Sequence, residues 1–248
     1  SSPDVKSTKI AISQNKDIAS AISDFGFRLY SKIADSDSQK NIFISPASVE
    51  LALAMTFNGA SGTTKDAMSK TLGYNCMPLE SVNSGNKNLM ASLMQPEKGI
   101  ELDVANSLWC SDRYDFNPGF ISTNKSYYSA ETRTLDLNSP EAAKSINAWV
   151  SDKTRQNITS IVSSSDINNA MLVLVNAVYF KGKWLTEFPK ANTQQGSFTL
   201  LDTSSKNVQY MRLSDKFTYM ENDKFQAVNL PYKKGADGVP SASMYIFL

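Results

Sequence analysis

The sequence predicts an α+β fold, and three observations carry that prediction. Helical apolar spacing dominates the first half of the chain and short alternating strands dominate the second. Between them, Met171 to Phe180 is an apolar run broken only by Asn176. Helices and strands segregated in this way mark α+β architecture rather than alternating βα units. At 248 residues and 41% hydrophobic content the chain can bury a large core. It shows no internal repeat, linker or low-complexity segment, so it reads as one domain over residues 17–248 behind a polar, loose lead-in at residues 1–16.

From Asp17 onward, Ile18, Ala21, Ile22, Phe25 and Leu29 recur at helical spacing, predicting an amphipathic helix to about Ile33. Asn41-Ile42-Phe43-Ile44 reads as a short buried strand. Ser45-Pro46 then opens a helix, with serine as cap and proline at the first helical position. That helix is apolar nearly all round, which places it inside a core. Asn58-Gly59 ends it, and a short helix with Ala67, Met68 and Leu72 inward stops at Gly73. Another helix is predicted over Leu79 to Gln95, closed by Pro96.

Ile100 to Trp109 alternates as a strand with one buried face, and Phe116 to Tyr128 is helical. Thr132 to Leu137 alternates again, and Pro140 opens a helix with Ile146, Trp149, Val150 and Lys153 on one side. The Met171 to Phe180 run predicts a central strand covered on both faces. Further short strands follow at Ser197 to Leu200, Val208 to Arg212, Phe217 to Met220, Gln226 to Leu230 and Ser243 to Leu248. The last of these runs into the chain end without a turn or polar tail. Domains seldom stop inside an apolar strand, so the chain is expected to be truncated and residues 1–248 alone are not expected to form a stable monomer.

Composition excludes several function classes. Twenty-five basic and 24 acidic residues give a net charge of +1, which leaves no basic footprint for nucleic acid. The chain has no apolar run long enough for a membrane helix and its start has no secretory core, so it reads as soluble or already mature. Histidine is absent, which removes Ser-His and Cys-His nucleophile pairs and the commonest metal ligand. S-x-x-K occurs at Ser13 to Lys16 and at Ser84 to Lys87, without the companion elements of a Ser-Lys mechanism. Gly182-Lys183 lacks the rest of a phosphate-binding loop. Cys76 and Cys110 are too few for a disulfide framework or a zinc site and are expected to stay unpaired. No catalytic constellation, metal or cofactor is expected.

Several phrases, in order, resemble the serpin family of protease inhibitors. Phe25-Gly26-Phe27-Arg28-Leu29-Tyr30 resembles the family's first helix, and Asn41 to Ser48 its strand-to-helix junction. Gly59-Ala60-Ser61-Gly62-Thr63-Thr64, with Met68 and Thr71-Leu72-Gly73 downstream, resembles the next junction. Val175-Asn176-Ala177-Val178-Tyr179-Phe180-Lys181-Gly182-Lys183-Trp184 is close to the signature on the third strand of the main sheet, and Leu230-Pro231-Tyr232 also fits. The resemblance covers nearly the whole chain from Asp17 and implies a serpin fold, three sheets with surrounding helices, incomplete at the C-terminus.

The resemblance also implies a mechanism. A serpin's reactive-centre loop is cut by a serine or cysteine protease, which is trapped as an acyl-enzyme while the loop inserts into the main sheet of a metastable body. In the family that loop lies beyond the strand on which this chain ends, so the implied partners are a target protease and the chain's own C-terminal segment. A non-inhibitory carrier or chaperone of the same family is the alternative. An extracellular or secreted location comes from the resemblance alone.

Ser45, Ser48 and Asn176 match the family's shutter, a polar cluster under the main sheet that a histidine from the C-terminal part usually completes. Read without the resemblance, Ser45 is an ordinary cap and Ser48 a first-turn serine. Asn176 inside an apolar strand needs partners, since an unsatisfied buried amide costs about 1 to 3 kcal/mol. Trp184 matches the tryptophan at the breach, where the loop enters, and is otherwise a core cap at a strand end. Trp149 reads as helix-to-sheet packing. Heparin-binding members carry basic residues along the helix corresponding to Leu79 to Gln95, and here that stretch holds only Lys87, which argues against heparin. Sequons stand at Asn124 and Asn157.

Overall fold

The computed structural model describes residues 5–36, 40–74, 77–94, 99–233 and 242–248, with the side chains of the first helix described from Asp17. Residues 1–95 and 102–179 form one compact unit, and residues 96–101 and 180–248 a second. The strands after residue 193 close on their sequence neighbours, which composition does not reveal.

In the first unit, helix α1 (Val5–Ser36) begins well before Asp17, so the lead-in from Val5 is helical rather than loose. Between Pro3 and Gly26 there is no proline or glycine to stop a helix, and polarity alone does not oppose one. Ile18, Ala21, Ile22 and Phe25 form its buried side. Residues 41–45 are extended without a strand partner among the described residues, which corrects the expected buried strand. Phe43 is 100% exposed, whereas Ile42 and Ile44 are half-buried. The alternation correctly marks one covered face, but a strand also needs a neighbour along its edge, which the pattern does not encode.

Helix α2 (Pro46–Phe57) starts as predicted: Ser45 Oγ accepts from the Ser48 amide at 3.4 Å and Pro46 takes the first turn. Helix α3 (Gly62–Leu72) ends on Gly73, whose φ of 76° is left-handed. Helices α4 (Leu79–Leu93) and α5 (Pro118–Tyr128), the latter capped by Asn117, complete the helical layer. Ile22, Phe25, Leu51, Met55, Val82 and Tyr128 are part of one shared core.

Strand β1 (Ile100–Ser111) lies between β2 (Glu131–Leu135) and β3 (Leu172–Gly182) in a three-stranded sheet. β1 and β2 run parallel, Ser107 opposite Glu131 and Ser111 opposite Leu135. β1 alternates near its start and is buried on both faces from Asn106 to Ser111, as a middle strand must be. β3 is the edge strand of this sheet among the described residues, and both of its faces are covered, as the apolar run predicts. Its apolar run reports two covered faces, which is a different matter from two paired edges. Leu172 and Leu174 face the helical core. Val173, Val175 and Ala177 face the opposite side, where helix α6 (Pro140–Lys153) and the short α7 (Ser164–Ile167) cover the sheet. Trp149 packs there as predicted, edge to face with Trp109 at 6.4 Å and 84°.

The second unit holds two antiparallel sheets. β4 (Gln194–Thr199) pairs with β5 (Ser205–Tyr210), and β7 (Gln226–Pro231) pairs with β6 (Thr218–Glu221) and β8 (Ser243–Phe247). Helices together with three sheets give the α+β architecture predicted. Cys110 is buried and in no disulfide, whereas Cys76 lies outside the described residues.

Candidate functional site

A polar cluster joins the start of α2 to the sheet. Ser48 leaves the first turn of α2 free to donate its hydroxyl to Asn176 Oδ1 on β3. Asn176 Nδ2 donates to Asn106 Oδ1 on β1 at 2.7 Å, and Asn106 Nδ2 donates to the Tyr128 carbonyl at 2.8 Å. Period-two geometry turns Asn176 to the same face as Leu172 and Leu174, toward the helices. Asn176 is half-buried and Asn106 is buried. Ser48 and Asn176 are therefore brought together as the sequence predicted. Among the described residues Ser45 supplies the cap of α2 and is not joined to Ser48 Oγ or Asn176. Asn106 was missed. The available signal was a second asparagine inside a strand, since two amides interrupting adjacent strands are natural partners.

The polar thread continues past Tyr128. Tyr128 Oη donates to Asn83 Oδ1 at 2.8 Å, Asn83 Nδ2 to Asn58 Oδ1 at 2.9 Å, and Asn58 Nδ2 to Asn124 Oδ1 at 3.0 Å. Asn124 Nδ2 closes on the Met55 carbonyl at 3.3 Å. On the other side Asn86 Nδ2 reaches Tyr128 Oη at 3.4 Å and Glu50 Oε1 at 3.2 Å, and Tyr74 donates its hydroxyl to the same Glu50 oxygen. Burial holds the Tyr74 and Tyr128 hydroxyls well above the usual phenol range. That these groups join in one polar network was not anticipated from the sequence. Glu50 is the only charged residue of α2, and that is the signal a helix read as apolar all round contained.

Trp184 belongs to the second unit and is built from other neighbours. It bridges to Tyr232, and the rings stack at 4.7 Å and 9°. Phe188 meets Trp184 edge to face at 6.0 Å, and Phe180 meets Tyr232 at 5.3 Å. Gly182 makes room for this stack, because a Cβ there would lie 2.6 Å from Tyr232 Cδ1. The Leu185 amide bonds the Pro231 carbonyl at 2.9 Å and the Lys233 amide the Lys183 carbonyl at 2.8 Å, fixing both sides of the stack. Lys233 Nζ pairs with Glu187 at 3.0 Å and holds that carboxyl below its ordinary value.

Other candidates resolve into local structure. Asn124 is 0% exposed with its amide bonded on both ends, so its sequon is closed to an oligosaccharide in the folded chain. Asn157 is exposed. Ser84 donates to Glu80 at 3.1 Å, and Lys87 lies over the Tyr127 ring at 5.7 Å. The side chains of Ser13 and Lys16 lie outside the described residues. Among the described residues no group of acidic, Cys or His side chains has metal-binding geometry, and no helix is long and apolar enough to cross a membrane.

The first unit thus holds a helix-backed sheet with a buried amide cluster, and the second holds two antiparallel sheets and the Trp184 stack. The family model described as serpin (serine protease inhibitor) matches residues 20–248. A serpin-like protein of Methanosarcina acetivorans is 35% identical over 94% of this chain and 53% of its own length. The leukocyte elastase inhibitor of Xenopus laevis is 35% identical over 88% of this chain and 59% of its own length. Arabidopsis AtSerpin1 in its native stressed conformation superimposes with a TM-score of 0.85 at 27% identity, over 95% of this chain and 61% of that one. The chain belongs to the serpin family. It spans little more than half the length of the curated relatives it matches.

Proposed function

We propose that this chain is the body of a protease-trapping serpin, into whose three-stranded helix-backed sheet a cleaved loop inserts beside β3. The observation that carries this reading is β3 itself. Its outer edge is unpaired among the described residues, and its register is held from the other side by the Ser48, Asn176 and Asn106 bonds to α2 and β1. An edge of open N–H and C=O groups is what strand addition requires. The reactive loop and the remaining strands come from a C-terminal segment of the kind the longer relatives carry. Ser48 and Asn176 act as the shutter that resists premature opening, and the Trp184 stack as the breach.

On this reading the chain performs no catalysis and needs no cofactor, and its partner is a serine or cysteine protease. α4 offers Lys87 alone to an anionic polysaccharide, so activation by heparin through this helix is not expected. Secretion rests on the family resemblance, and occupancy of the exposed Asn157 sequon is its local test.

The test uses the chain joined to its C-terminal segment. Incubation with elastase-like and cysteine proteases should give a covalent complex that survives denaturing electrophoresis. Asn176→Ala and Ser48→Leu should shift the protein toward inactive latent or polymeric forms on native gels after mild heating. Variants that stay monomeric and fully inhibitory would remove the shutter assignment. If no tested protease is trapped and the loop is cut as a substrate, the inhibitor reading falls and the carrier reading replaces it.

A further inference from the structure

Glu50 sits on the buried side of α2 with 0% of its surface exposed. An ionised carboxylate in such a place is costly unless a cation or a full set of donors compensates it. Glu50 has neither. Oε1 accepts from the Tyr74 hydroxyl and from Asn86 Nδ2 at 3.2 Å. Oε2 is buried without a hydrogen-bond partner, and so is Asn86 Oδ1.

The two orphans belong to the same pair of planar groups, already joined at their other ends. Both are acceptors while Glu50 is ionised, so neither can satisfy the other. A proton on Oε2 supplies the missing donor. The pair can then close as an acid and amide ring, Oε2–H donating to Asn86 Oδ1 and Nδ2–H to Oε1.

Among the described residues the surroundings offer no counter-charge. Facing Glu50 are Tyr74 from the segment after α3, Asn86 from α4 and, through Asn86, Tyr128 from α5. α1 contributes Ile18, Ile22 and Phe25 to this core, while its Asp17, Asp24, Lys32 and Asp35 are exposed. Arg28 donates to the Thr71 carbonyl at 2.8 Å, and Lys65 lies over the Phe57 ring at 5.4 Å. Glu80 and Lys87 both engage Tyr127, and Asp66, Lys70 and Lys125 are exposed.

We propose that Glu50 is a proton-operated latch in the helical core: as the neutral acid it ties α2 to α4 and Tyr74, and on ionising it loosens that tie. Burial raises its carboxyl from 4.5 to about 7, outweighing the opposing hydrogen bonds from Tyr74 and Asn86. The loosened groups adjoin Tyr128, whose carbonyl anchors Asn106 and through it Asn176. The latch does not depend on the protease-trapping reading.

Because the folded value lies above the unfolded one, the folded chain holds the extra proton between 4.5 and about 7. Stability is therefore fullest at and below the lower bound, falls as pH rises through the window, and levels off above about 7. The chain has no histidine, so no other side chain ordinarily titrates in the middle of this window.

Urea unfolding of the full chain across the window, beside Glu50→Gln, tests the latch. The wild-type folding constant should fall on the order of a hundredfold between about pH 5 and about pH 8. The variant carries an N–H where the acid carried its O–H and should lose that dependence. A flat wild-type profile, or an equal slope in the variant, would overturn the proposal. Should the variant fail to fold, infrared spectroscopy of the wild type at about pH 6 decides, where surface carboxyls are ionised. A protonated-carboxyl C=O band that vanishes above neutrality is expected, and its absence would overturn the latch.

Discussion

Replacing Asn176 by alanine tests the cluster at its middle link. The substitution removes the donor to Asn106 Oδ1, a 2.7 Å bond, and the acceptor of the Ser48 hydroxyl. Asn106 is 2% exposed, so its stranded oxygen cannot turn to water. An orphaned buried acceptor costs about 1 to 3 kcal/mol. Ser48 is half-buried and can recover water, so its loss sits near the ordinary net value of about 0.5 to 1.5 kcal/mol. Together the expected destabilisation is about 2 to 4 kcal/mol, a large part of a typical stability of about 5 to 15 kcal/mol. Urea unfolding of Asn176→Ala, Asn106→Ala and the double variant isolates the pair. Asn106→Ala also strands the Tyr128 carbonyl, which is present in both the single and double variants and cancels in the cycle. A coupling of about 1 to 2 kcal/mol is expected, and additivity within about 0.5 kcal/mol would refute a direct bond of this kind.

Gly182→Ala should push Tyr232 off Trp184, costing about 1 to 3 kcal/mol and changing near-ultraviolet circular dichroism, because the added Cβ would lie 2.6 Å from the tyrosine ring. An unchanged aromatic spectrum would count against the stack. Expressed in a glycosylating host, the folded chain should carry sugar at Asn157 and none at Asn124, and a peptide map showing Asn124 occupied would contradict its burial. Cys110 should react with thiol reagents far more slowly in the folded chain than in urea, since burial both shields it and pushes its thiol up. A fluorophosphonate probe should leave the chain unlabelled, and stoichiometric labelling at Ser84 would restore a nucleophile reading.

Where the chain punctuates itself, the fold was legible. Ser45-Pro46, Pro140 and Gly73 mark helix ends by local steric and capping rules, and the observed ends follow them. Asn176 was legible as a residue in need of partners because the apolar residues around it made its polarity expensive. Lateral pairing was not legible. The patterns of Ile42 to Ile44 and of Met171 to Phe180 describe faces, and faces are set by side chains, while edges are set by which backbone lies alongside. Glu50 was missed for a related reason: one carboxyl hardly changes the character of an apolar helix, and its partners Tyr74 and Asn86 come from elements distant in sequence.

The amide cluster has a further physical consequence for β3. Apolar contacts are non-directional, and both faces of this strand are lined by residues that would accept Leu or Val at many positions. Burial alone would therefore tolerate a slipped strand. A one-residue slip reverses the faces, turning the Asn176 amide away from Asn106 and Ser48 and toward the side of Trp109, Ile146 and Trp149, where an unpaired amide is costly. The same bonds that discriminate between registers must break if β3 is to part from β1, because Asn106 and Asn176 stand on adjacent strands. Register fidelity and resistance to opening are thus one property of one hydrogen-bonded pair. Strengthening the pair would raise both together and would leave the outer edge of β3, unpaired among the described residues, as it is.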